Sequence, residues 1–367
     1  MSGTTMKRSA LRLRARTGRR GVSHAVPIGF AILGIALVFG FILSVSLGSV
    51  SVPFAQTVKI LVSKITNAPA SGVPEMHETI IIRIRVPRVL LGMLVGAALS
   101  LSGLVFQALL RNPLADPYTL GISAGASFGA ALSLFLGYAV SSKFQTFLPA
   151  FSFAGGIATV FLVYFLALTK GRVQVLTIIL AGVVVSYLFS SGLVLIMSLL
   201  GDKSHEIIYW LMGNLAGYHP ALRWNAIVVV ALMLVTGYFF RDLDLLSLGD
   251  EQAKTLGVNT EFVRLLLFST TSIITAVAVS MTGTIGFVGL IVPHAMRLLI
   301  GPRHRALIPA SIVAGAVFLP LSDTLARTLP ELLFRNGMEI PVGVVTAIFG
   351  SPFFIFLLMK GKKRAWF

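Results

Sequence analysis

Cysteine is absent from the 367-residue chain and charge is scarce, with Asp, Glu, Lys and Arg making up 12% of it. Without thiols the protein has no disulfide, no zinc–thiolate centre and no iron–sulfur cluster. The shortage of charge excludes an ordinary soluble domain, in which about a quarter of residues are charged. No GxxxxGK[ST] run occurs, so this chain does not cradle ATP in the usual phosphate loop. The six histidines are scattered, with no HExxH pair and no other zinc-ligand spacing. Acidic residues are also missing from where an ion-coupled carrier needs them. All thirteen (Glu75, Glu78, Asp116, Asp202, Glu206, Asp242, Asp244, Asp250, Glu251, Glu261, Asp323, Glu331 and Glu339) fall at or beyond the ends of the apolar segments. Proton- and sodium-coupled carriers commonly hold a titratable group near the bilayer midplane. A membrane-embedded enzyme would need a nucleophile, a metal or an acid–base cluster there. The sequence offers neither, so energy for any uphill transport comes from another polypeptide.

What the chain has instead is long apolar runs. It is 56% hydrophobic, with a mean hydropathy of +0.91, and runs of the length needed to cross about 30 Å of hydrocarbon recur from end to end. This pattern predicts an all-α polytopic membrane protein, since a β-barrel would show short alternating segments. About ten spans are expected, near 26–47, 88–110, 118–138, 146–169, 174–200, 222–241, 262–283, 285–300, 306–326 and 340–360. Residues 1–25 read as a basic cytoplasmic tail and 26–367 as a single transmembrane domain. The first apolar run follows a basic segment, as a signal peptide does, but is longer than a usual signal core and reads as a retained span. The net charge of +17 sits at helix ends and in short loops, so it reports topology and not nucleic-acid binding. With the tail inside, the larger share of Lys and Arg falls on the cytoplasmic side, and both termini are cytoplasmic.

That orientation puts RIRVPR, residues 83–88, at the extracytoplasmic mouth of the second span, the minority side for positive charge. Arg327, in SDTLAR at the outer end of the ninth, is a second exception. Taken alone, these arginines could simply snorkel to lipid phosphates. Between spans six and seven, Ser247 followed by Asp250 resembles a capping box, and Gly257 is placed as a C-cap. A short helix over about 248–256 is expected, inside a cytoplasmic loop at 243–260. Glycines at four-residue spacing, Gly92–Gly96 and Gly121–Gly125–Gly129, suit close helix contact within the bundle.

Three stretches go further together. RVPRVLLGMLVGAALSLSGLVFQALLRNPLADPYTLGISAGASFGAAL covers 85–132, and LLSLGDEQAKTLGVN covers 245–259. GTIGFVGLIVPHAMRLLIG at 283–301 continues through DTLAR to IPVGVVTAIFGSPFFIFLLMK at 340–360. From about residue 26 onward the chain resembles the FecCD family, the permease subunits of ABC importers for iron–siderophores, haem and cobalamin. The resemblance implies the type II ABC importer permease fold and a homodimer around one pathway in a bacterial or archaeal cytoplasmic membrane. It also implies two cytoplasmic ATPase subunits, which hold ATP–Mg, and an extracytoplasmic substrate-binding protein. This subunit itself would hold no cofactor, no metal and no catalytic site. By the same resemblance Arg85, Arg88 and Arg327 dock the binding protein, a role suited to a planar guanidinium that binds carboxylate bidentately. Asn112 and Leu114 form a cytoplasmic gate, and Leu248, Ala253, Leu256 and Gly257 contact the ATPase. A second gate, a Thr-Ser pair in some relatives, falls at Val175 and Leu176 here, a departure that leaves only apolar side chains. His294 in GFVGLIVPH reads as a satisfied structural histidine and not as a ligand for iron or haem. The expected cargo is an iron complex, siderophore or haem, with cobalamin as the alternative and an ion-coupled secondary carrier as the remote one.

Overall fold

The computed structural model describes residues 26–361 apart from 49, 68–71, 170, 171, 174, 217–221 and 335–337. The basic tail and the lysines and arginine after residue 361 lie outside the described residues. Each of the ten expected spans meets an apolar helix. We label them α1 (Val26–Ser46), α2 (Glu75–Leu109), α3 (Ile122–Ala139), α4 (Leu148–Ala167), α5 (Val175–Leu200), α6 (Leu222–Tyr238), α7 (Thr260–Thr282), α8 (Val288–Ile300), α9 (His304–Phe334) and α10 (Val342–Gly361). Seven are long and apolar enough to cross a membrane alone, and α6 joins them when taken with the short helix Phe240–Leu246, from which it is bent by 56°. The shorter apolar helices are α8 and the stretch Val342–Leu357 of α10. A two-residue hairpin, Leu168–Thr169 against Arg172–Val173, links α4 to α5.

Several boundaries differ from expectation, α9 running to Phe334 and not ending near 326, and two of them have a clear physical reason. α2 begins at Glu75 and not near 88, so RIRVPR lies inside the helix. Pro87 has no N–H to give to the preceding turn and would clash with it. The backbone widens into a π turn over Ile80–Arg85 just ahead of it, and the helix continues. α8 begins only at Val288, because Phe287 before it is left-handed, with φ of 70°. The non-helical stretch 283–287 is tolerated at membrane depth because protein groups satisfy it. Asn214 N–H donates to Thr282 O at 2.7 Å, Ile285 N–H to the Tyr118 hydroxyl at 3.2 Å, and Thr284 Oγ1 to Leu211 O.

α2 is the central element, with 83% of its apolar window buried against 17% for α1 and 22% for the span containing α5. Its neighbours are α9, α8 and α7, while α3 lies along α4. Small residues permit these approaches. A Cβ on Gly96 would stand 2.1 Å from the Gly315 carbonyl oxygen of α9, and one on Gly125 2.4 Å from that of Gly155 in α4. The glycine spacing read in the sequence thus marks contacts inside the subunit.

Candidate functional site

Charged residues collect at the two ends of the bundle. At one end α2 delivers Arg85 and Arg88, and α9 delivers Arg327. All three are buried. Arg88 grips Asp323 bidentately, Nε to Oδ2 at 2.9 Å and Nη2 to Oδ1 at 2.8 Å, and extends Nη1 to Glu339 Oε2 at 2.9 Å. Arg327 Nε stands 3.0 Å from Asp323 Oδ2 one turn away. Arg327 also donates to the carbonyls of Ser44 and Leu47, at 3.1 and 3.3 Å. Arg85 donates to those of Val45 and Ser46, at 3.1 and 2.6 Å, and of Val50. The last carbonyls of a helix lack intrahelical partners, and these two guanidiniums supply them for α1. Arg83, on the same turn, is exposed.

Asp323 corrects one expectation. It lies at the twentieth position of the thirty-one-residue α9 and is 2% exposed, so it is not at or beyond the helix end. At about 1.5 Å per residue it stands about 28 Å from His304 and about 17 Å from Phe334, so a buried, ion-paired carboxylate lies about 6 Å from the middle of α9, on the arginine side. Truncating one partner of a buried pair costs about 3–5 kcal/mol, because the remaining charge is stranded. The i,i+4 spacing of Asp323 and Arg327 was the available local signal. Arg88 and Asp323 are separated by 235 positions, and no local pattern joins them.

The opposite end holds the NPLADP turn and the 243–260 loop. Asn112 Oδ1 accepts from Leu114 N–H at 2.9 Å, and the Leu114 side chain is exposed. Asp116 caps the short 3-10 helix Pro117–Leu120, its Oδ1 accepting from Tyr118 N–H at 3.0 Å. Burial raises its pKa to about 6, although that hydrogen bond opposes the shift. Val175 opens α5 with its side chain outside the described set, and Leu176 beside it is exposed.

In the loop, the expected capping box is not formed. Ser247 Oγ donates back to Leu243 O at 2.8 Å, and the helix runs only over Asp250–Thr255, with Gly249 as its N-cap. The Asp250 carboxylate turns instead to Arg264 Nη2 at 2.8 Å and Arg111 Nη2 at 3.5 Å. These guanidiniums hold Asp250 below the usual carboxylate pKa, although desolvation pushes the other way. The C-cap forms as read. Gly257, with φ of 89°, donates to Lys254 O, and Val258 N–H donates to Ala253 O, a Schellman end. Leu248, Leu256 and Gly257 face outward, whereas Ala253 is 0% exposed and packs inward. Asp244 completes this end, with Oδ1 accepting from His304 N–H at 3.0 Å and lying 2.7 Å from His304 Nδ1. His304 at the start of α9 was missed in the sequence, where His294 drew attention. The His294 ring meets Phe353 edge-on at 6.3 Å.

Toward the arginine end, where α3 and α7 finish and α4 begins, a recess of about 550 Å³ opens beside the span containing α5, with His205, Glu206, Tyr209, Trp210, Asn214 and Thr282 among its lining.

Known proteins place this arrangement. The cobalamin import system permease protein BtuC of Halobacterium salinarum is 41% identical over 80% of this chain and 77% of its own. The Fe(3+)-citrate import system permease protein YfmD of Bacillus subtilis is 35% identical over 91% and 95%. An ABC transporter assigned to the metal-chelate type, solved in an inward-facing conformation, matches with a TM-score of 0.75 and 30% identity over 91% of this chain and 99% of its own. The FecCD transport family matches residues 36–360. The chain belongs to that family, as a multi-span inner-membrane permease of the ABC type.

Proposed function

We propose that the arginine end faces outward and receives an acidic substrate-binding protein, while the NPLADP turn and the 243–260 loop face the cytoplasm and a pair of ATPase subunits. A second copy of the chain completes the pathway. The observation that carries this reading is the asymmetry of the two ends. One has Arg83 exposed above a net-positive buried cluster, with Arg85, Arg88 and Arg327 against Asp323 and Glu339. The other has exposed apolar side chains, Leu248 and Leu256, flanking a capped helix that a partner's cleft can hold.

Docking through buried arginines needs a route to them. Glu339 is the accessible partner, its side chain 29% exposed against 2% for Asp323. A carboxylate from the binding protein can replace it on Arg88 Nη1, while Asp323 keeps the fork in place. Arg85 and Arg327 hold the α1 end and add positive field. Charge reversal at Arg83 should therefore weaken capture of the binding protein and flatten its salt dependence. Glu339→Gln should strengthen capture at least threefold by removing the competing carboxylate. Unchanged Kd and salt slope in both variants would refute docking at this end.

For the cargo we propose a metal chelate, with an iron complex first. The 41% identity to a cobalamin permease supports cobalamin as the second reading. Binding of ferric siderophore, haem and cyanocobalamin to the partner binding protein separates them.

A further inference from the structure

Arg111 occupies a position that suits glycine. α2 ends in a Schellman arrangement, with Arg111 N–H donating to Ala108 O at 3.3 Å and Asn112 N–H to Gln107 O at 3.1 Å. The residue at the left-handed position of such an end is usually glycine, because a Cβ crowds the backbone there. The equivalent position in the coupling loop is Gly257, yet here an arginine adopts φ of 49°. Strain of this kind persists where surrounding structure enforces it, commonly at functional sites. What arginine supplies and glycine cannot is a side chain that reaches 3.5 Å from Asp250 Oδ1.

That oxygen belongs to the first residue of the coupling-loop helix and also accepts from Arg264 on α7 at 2.8 Å. One carboxylate thus ties the loop helix to α7 and to the end of α2. Lys254, the other cation near it, leans to Glu261 at 3.7 Å. Arg264 is 16% exposed and holds the carboxylate from the α7 side, whereas Arg111 and Asp250 are 45% and 36% exposed. An ion pair this wet adds little to folding. Its value is positional. Asn112, the next residue, fixes Leu114 through the 2.9 Å bond, so pulling on Arg111 moves the turn as a unit.

We infer that Asp250 and Arg111 form the joint that passes displacement of the coupling-loop helix to the Asn112–Leu114 turn. Arg111 takes a glycine position because that joint needs a cation there. The inference rests on the proposed cytoplasmic facing of both segments and on the gate role of Asn112 and Leu114 and the ATPase contact of the 243–260 loop that the family resemblance implies, and it makes both residues positioning residues.

The chain has no cysteine, so Leu114→Cys gives one labelling site per permease subunit for an environment-sensitive fluorophore. The test uses the whole complex with its ATPase subunits in proteoliposomes, and reads ATP hydrolysis and label emission together. ATP is expected to change the emission. Arg111→Gly frees the backbone and removes the side chain, so hydrolysis should continue while the emission response falls at least fivefold. Asp250→Asn should lose the response similarly, and Arg111→Lys, which keeps the charge, should recover at least half of it. A full response in Arg111→Gly overturns the joint. So does failure of the Arg111→Gly complex to assemble, because glycine would then not suit this turn. A label silent to ATP even with Arg111 and Asp250 intact rejects the gate reading itself, which separates the two failures.

Discussion

Asp323 serves two guanidiniums, Arg88 from α2 and Arg327 from its own helix. Only the second pairing was written locally, in the four-residue step of SDTLAR. The arginines themselves were legible because positive charge at the outer mouth violates the usual bias. The burial of Arg85 and Arg327 was not, since the C-terminal carbonyls of α1 lie across them, nor was that of Arg88, whose partners Asp323 and Glu339 are distant in the chain. Asp116 is a second residue whose state only the fold decides. Its folded pKa of about 6 lies above roughly 3.9 in an unfolded chain. The folded turn therefore holds the proton more tightly, and ionised Asp116 costs stability. Stability from this group is fullest below pH 4 and falls as pH rises toward 6, after which it is level. Asp116→Asn keeps an acceptor for Tyr118 N–H without the charge. Its Tm should match that of the unaltered chain near pH 4 and exceed it by a widening margin up to about pH 6. A gap independent of pH would show that the carboxylate does not titrate in this way.

At the scale of elements, apolar length and punctuation made ten apolar helices legible, of which seven, or eight with the bent pair, are long enough to cross a membrane. The helix ends were less so. Proline at position 87 signals a break, yet a π turn absorbs it and α2 runs on. Ser247 and Asp250 have capping-box spacing, but each finds a stronger partner outside the box. Gly257 was read correctly because a left-handed C-cap is a purely local demand. No atom would obstruct a Cβ at Gly257, so its φ of 89° is the whole constraint. Valine there should cost about 1–2 kcal/mol of backbone strain and distort the face that carries Leu256. We expect Gly257→Val in the reconstituted complex to lower cargo moved per ATP hydrolysed more than it lowers hydrolysis. Equal loss of both would assign Gly257 to ATPase assembly instead of coupling.

Across the whole molecule, most charged side chains gather toward the two ends, with the buried Arg88–Asp323–Arg327 group reaching into α9. α5 presents Leu180, Val184 and Leu188 outward, a stripe at helical spacing that a second copy can cover in the proposed homodimer. The sequence made the two charged ends visible through topology, but not the lattice that joins elements at each end, because those contacts bridge distant positions. In the proposed arrangement, transport is powered from the 243–260 end while cargo arrives at the arginine end. This arrangement is tested most directly by uptake into proteoliposomes containing the permease and its ATPase, with ATP inside, loaded binding protein outside and a protonophore present. Uptake of a metal chelate should require internal ATP and persist with the protonophore. Uptake driven by a proton gradient without ATP would contradict the arrangement.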